Sequence, residues 1–126
     1  MRLPSKFVIV LMSVLLFSFT PAFAGKADVL DVEAVKLANG TYRFDVTIQH
    51  ADEGLQHYTD RWEVVGPDGT VLAVRNLYHP HVDEQPLTRS LSGVSIPKGI
   101  TTVTVRAHDS VHGYGGKTVT EALPSQ

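Results

Sequence analysis

Between Tyr42 and Gln49 the apolar side chains Tyr42, Phe44, Val46 and Ile48 alternate with Arg43, Asp45, Thr47 and Gln49. A period of two places successive side chains on opposite faces of an extended chain, so the segment predicts a half-buried β-strand. Trp62 and Val64 alternate with Arg61 and Glu63 in the same way, as do Val103, Val105 and Ala107 with Thr102, Thr104 and Arg106. Asn39-Gly40, Gly66-Pro67-Asp68-Gly69 and Pro97-Lys98-Gly99 supply turns between such runs. No stretch carries a convincing helical period. The pattern predicts seven strands, near 27–38, 41–50, 60–66, 70–77, 87–96, 100–108 and 116–123. Seven short strands with regular turns predict an all-β, immunoglobulin-like antiparallel sandwich, with Trp62 as a core aromatic.

Residues 1–24 stand apart from this pattern. Arg2 and Lys6 give a positive start, Phe7 to Phe19 form an apolar run, and Ala22-Phe23-Ala24 offers small residues for cleavage. That is the pattern of a secretory signal peptide. The apolar run is short against the roughly 20 residues that span a bilayer. With no cysteine to carry a lipid, the expectation is an unanchored domain over 25–126, periplasmic or secreted.

Two of the 11 basic residues leave with that segment, so nine face 13 acidic residues and the net charge becomes −4. Weak acidity argues against nucleic acid and against an anionic membrane as partners. The absence of cysteine removes disulfides and thiolate chemistry. Both methionines, Met1 and Met12, fall in the leader, which removes a thioether site for Cu(I).

Consecutive antiparallel strands send alternate connections to opposite ends. The three tight turns fall at one end. The connections near 50–59, 78–86 and 108–115 fall at the other, with His50, His57, His79, His81, His108 and His112. Neutral imidazole is the commonest protein ligand for transition metals, so this end predicts a metal site. His50 continues the apolar face of Tyr42 to Ile48 and points inward, and Asp109 continues the face of Val103, Val105 and Ala107. His108 therefore points outward and is the weakest candidate. His57 enters the third strand across its loop from His50, and His112 follows Asp109 by three residues. His79 and His81 flank Pro80 on a stiff segment that approaches from a third side. Asp52-Glu53 and Asp83-Glu84 read as solvated acidic loops. The glycines of His112-Gly-Tyr-Gly-Gly116 permit a sharp turn that aims His112.

The segment His50-Ala-Asp-Glu-Gly-Leu-Gln-His57-Tyr58, followed by Trp62-Glu63-Val64 and a Gly-Pro-Asp-Gly turn, resembles the iron-binding domain of desulfoferrodoxin and superoxide reductase. Asp109-Ser110-Val111-His112-Gly113 stands where that family has Cys, two residues, His, Gly. The resemblance implies an immunoglobulin-like fold and a mononuclear ferrous centre of four histidines and an axial thiolate. By motif, His50, His57 and His112 match three of the histidines. Asp109 takes the thiolate position, and the family's additional N-terminal histidine is missing from Gly25 to Gln49. His79 or His81 would then complete the set. A carboxylate is a harder, weaker donor than a thiolate, so the resemblance implies metal binding more directly than superoxide reduction.

Imidazoles with one carboxylate accept Fe(II), Zn(II), Ni(II) or Cu(II). The family resemblance makes Fe(II) the first expectation, with Zn(II) or Cu(II) as alternatives. A redox role would require a periplasmic electron donor. The competing expectation is a non-catalytic interaction module whose loops bind a protein or small ligand.

Overall fold

A computed structural model describes residues 25–125; the predicted signal peptide lies outside the described residues. Seven strands follow one another: β1 (Asp28–Lys36), β2 (Tyr42–Gln49), β3 (Thr59–Val65), β4 (Val71–Asn76), β5 (Leu87–Val94), β6 (Thr102–Asp109) and β7 (Val119–Ala122). All pairings are antiparallel, in one sheet ordered β1-β2-β5 and another ordered β4-β3-β6-β7. The two sheets form a β-sandwich. The fourth strand stays beside the third. In the constant-type immunoglobulin arrangement it would cross to the fifth.

Alternation in the sequence becomes alternation in burial. Phe44, Val46 and Ile48 of β2 face Trp62 and Val64 of β3 and Val103, Val105 and Ala107 of β6, all buried. In β1 the register shifts between Val29 and Asp31, a bulge that turns both Val29 and Val32 to the core although they are three residues apart. The core spends its apolar residues on the interface between the sheets, as two half-buried sheets must.

Two elements differ from expectation at the end that matters. β6 runs one residue further than predicted, so Asp109 is its last residue and the inward alternation carries the carboxylate into the core. β7 starts later than predicted because Gly113 to Thr118 form a loop that instead reaches β1, with Val29 N–H donating to the Lys117 carbonyl at 2.8 Å. That reach requires Gly116. A β-carbon there would stand 1.9 Å from the Ala27 carbonyl oxygen.

Candidate metal centre

His50 follows β2 directly and His57 precedes β3, so the short loop between these strands holds both imidazoles near the end of β6. Nε2 of His57 lies 2.7 Å from Asp109 Oδ2, and Nε2 of His50 contacts the same oxygen. One ligand atom from each of His50, His57 and Asp109 lies within 4.8 Å of the others. The side chains of His50 and Asp109 are wholly buried, and His57 is 12% exposed. The cluster therefore has two closed sides and one open side.

The loop after β6 fixes Asp109. Its backbone closes a ring with Gly113 through two hydrogen bonds of 2.9 Å, a curl that Gly113 permits with φ of 72°. Oδ1 accepts from the backbone N–H groups of Val111 at 2.7 Å and His112 at 2.8 Å, leaving Oδ2 for the imidazoles. Burial pushes the carboxyl upward. The amides of His112 and Val111, with His57 and His50, outweigh it and hold Asp109 well below the usual carboxylate range. Asp109 is thus a carboxylate with one oxygen pinned and the other presented.

His50 is oriented by a residue read from sequence as a solvated loop acid. Asp52 is 6% exposed, and its Oδ1 stands 2.5 Å from His50 Nδ1. The same oxygen accepts from Thr59 N–H at 3.1 Å, and Oδ2 accepts from His81 N–H at 2.8 Å. With both oxygens already accepting, the hydrogen between Asp52 and His50 belongs to Nδ1. Nε2 then faces two oxygens, Asp109 Oδ2 and the Gly25 carbonyl at 2.9 Å. Two oxygens facing one ring nitrogen make a pocket of negative potential that suits a cation. A carboxylate that fixes one imidazole nitrogen while the other meets a cation is the usual arrangement behind metal-binding histidines. The residues present fit a transition metal ion on this ground.

The remaining histidines divide. His112 flanks the open side, its ring 4.9 Å from that of His57 and its Nδ1 3.4 Å from Asp109 Oδ1, with the side chain 41% exposed. His81 packs beside His79 with ring centres 4.9 Å apart and uses its backbone to hold Asp52. His112 is not grouped with His50, His57 and Asp109 among the described residues, and neither are His79 and His81. The segment that carries them supports the site from behind: Gln85 accepts from His50 N–H at 3.0 Å and donates to the His81 carbonyl at 3.0 Å. His108 points to the outer face of the sheet, as alternation predicts, and meets Asp60 at 2.6 Å.

The outer face of β3 and β6 anchors the loop from its other side. The Tyr114 hydroxyl donates to Glu63, accepts from Arg61 at 3.0 Å, and its ring lies 4.1 Å from the Arg106 guanidinium carbon. This clamp buries Glu63 although its side chain points away from the core. Sequence reasoning missed Asp52, Gln85 and Gly25. The His50-x-Asp52 spacing was the available signal for Asp52, since residues two apart can turn to one side of an extended chain.

No family model matches the chain, and no solved structure matches it. The chain is 40% identical over 92 residues to a protein of Halomicrobium mukohataei described as "Putative lipoprotein". The match covers 73% of this chain and 45% of that protein, so the chain spans less than half the length of this relative. No helix among the described residues is long and apolar enough to cross a membrane. The structure itself shows a β-sandwich whose histidine–aspartate cluster can coordinate a metal ion.

Proposed function

We propose that this chain is an exported metal-binding protein with a mononuclear centre held by His50, His57 and Asp109 and flanked by His112. The observation that carries this reading is the convergence of two imidazole nitrogens and a carboxylate oxygen within 4.8 Å, backed by Asp52 on His50. Fe(II) is the first candidate, by the resemblance to the superoxide reductase iron centre, and Zn(II) and Cu(II) suit the same donors. A bound transition metal would supply Lewis acidity or electron exchange at the open side. The chain's own residues bind and orient it, while the apolar sandwich beneath excludes water. Asp109 in place of a thiolate weakens electron donation, so binding, transport or storage fits this donor set better than superoxide reduction. Export rests on the leader-like pattern of residues 1–24 and agrees with the description of the relative as a lipoprotein.

The test is metal content per chain of the protein recovered after export, repeated with His50→Ala and His57→Ala. About one equivalent in the parent and loss in both variants is expected; unchanged content in both would overturn the reading.

A second reading, recognition of a partner, is favoured by one feature. The exposed apolar residues Leu55, Tyr78, Val82 and Val111 all lie on the histidine-bearing loops. An electron donor or metal-delivery partner would dock there, beside the open side of the cluster.

A further inference from the structure

We propose that export processing completes the metal centre: hydrolysis of the Ala24–Gly25 bond frees the Gly25 α-amino group, which binds the metal together with the Gly25 carbonyl oxygen. The inference rests on the metal-centre reading and on signal cleavage after Ala24.

The placement of Gly25 carries the argument. Its carbonyl oxygen stands 2.9 Å from His50 Nε2, the same nitrogen that meets Asp109. Two donors ~2.1 Å from one ion and at right angles about it stand ~3.0 Å apart, so oxygen and nitrogen are spaced as neighbours in one coordination shell. Fixed contacts hold the residue there. Ala27 is buried, Val29 N–H donates to the Lys117 carbonyl at 2.8 Å, and Lys117 N–H donates to Asp28 at 2.7 Å. Gly116, with no side chain, lets Ala27 approach. Gly25 is thus two residues from a buried anchor. A cleft lined by Gly25, Lys26, His50 and His112 leaves room beside it.

Bond chemistry explains why cleavage matters. In the uncleaved chain the Gly25 nitrogen is an amide whose lone pair is delocalised into the preceding carbonyl. Hydrolysis adds one water: the Ala24 carbonyl carbon takes the hydroxyl, the Gly25 nitrogen takes the hydrogen, and the nitrogen lone pair is released. Amine nitrogen and carbonyl oxygen of one residue close a five-membered ring on a metal. Amine, two imidazoles and two oxygens form a nitrogen–oxygen set of the kind Cu(II) accepts in tetragonal geometry. The centre would then mature only after the leader has gone.

Cu(II) and Zn(II) serve as probes. The full chain is produced with export, and the first residue of the recovered protein is read by mass spectrometry. A second chain carries Glu-Thr inserted between Ala24 and Gly25, which moves the free amine away and leaves an amide at Gly25. His50→Ala and His57→Ala are made in both. The expected result is a protein beginning at Gly25 whose affinity for each ion falls at least about tenfold on insertion. Its Cu(II) paramagnetic resonance spectrum should lose one nitrogen coupling. Equal affinity and identical spectra in the two chains, with binding still lost in the histidine variants, would overturn the inference and leave the metal reading intact. Binding insensitive to both insertion and histidine removal would overturn both. A first residue other than Gly25 would overturn the inference alone.

Discussion

Asp52 Oδ1 lies 2.5 Å from His50 Nδ1, both side chains fully buried, and this contact decides which nitrogen of His50 faces the cluster. One oxygen shared with Thr59 N–H and the other held by His81 N–H leave Asp52 no freedom to turn away. The carboxylate is a positioning group. Its contacts tie the β2–β3 connection to the β4–β5 connection.

Replacing Asp52 should therefore weaken the site without touching a ligand atom. Asp52→Ala is expected to reduce metal affinity about 10- to 100-fold, the usual effect of removing the partner of a metal-binding histidine. It also leaves two buried amides without acceptors, costing about 1–3 kcal/mol each. Calorimetric metal titration and urea unfolding would check the two effects separately. Unchanged affinity in Asp52→Ala would sink the positioning role.

His81 and His79 resolve differently. Since His81 holds Asp52 through its backbone, His81→Ala and His79→Ala should change metal affinity by less than about threefold, under 1 kcal/mol. His50→Ala should remove binding. Stoichiometry measured on the dialysed proteins distinguishes these outcomes, and a lost equivalent in His81→Ala would restore it as a ligand.

Metal should stabilise the fold, because the site exists only when β2, β3 and β6 are assembled. An ion at 100 times its dissociation constant adds about 2.7 kcal/mol to unfolding stability. Thermal melts with and without Zn(II) should show a rise in the parent that a chelator reverses. In Asp109→Ala the two melts should coincide.

Glu63 sets an acid limit on stability. Burial pushes its carboxyl upward, but hydrogen bonds from Tyr114, Arg61 and Arg106 outweigh this and hold it below the ordinary value. The folded state then stays deprotonated where the unfolded chain takes up a proton. Stability from this group is complete above the unfolded value and is lost as pH falls through the folded one, below about pH 4. Glu63→Gln should be less stable than the parent by about 2 kcal/mol near neutrality, with the gap narrowing on acidification. Urea midpoints from pH 3 to 7 would show it. A gap independent of pH would contradict the account.

Gly116→Ala should be costly through space rather than backbone strain. The added methyl would overlap the Ala27 carbonyl, forcing strand β1 and the 113–118 loop apart at a cost of about 2 kcal/mol or more. Gly40→Ala meets nothing within 4 Å and bears only the left-handed conformation, with φ of 83°, costing about 1–2 kcal/mol. Thermal midpoints of the two variants compare these costs, and the Gly116 variant should also bind metal more weakly because Gly25 moves with Ala27.

Alternation alone made most of the fold legible. Tyr42 to Ile48 and Val103 to Ala107 point inward because side chains on a strand alternate faces, and extending that rule by one step placed His50 and Asp109 at the inner end. The rule weakened wherever the chain left the strands. Asp52 reads as a solvated acid because its sequence neighbours are polar, yet Thr59 at the end of its own loop and His81 from the next long loop bury it. His79 and His81 share the histidine-rich end, but nothing in their spacing says that His81 offers a backbone amide to Asp52.

The sequence by itself determined an all-β sandwich, the end at which its histidines gather, and which of them face inward, since each follows from strand period and turn chemistry. The tertiary structure decided the rest: that β4 stays beside β3, that Asp52 is buried against His50, and that Gly25 reaches the cluster past Gly116. These depend on contacts between residues far apart in the chain, and local patterning carries no record of which distant groups will meet.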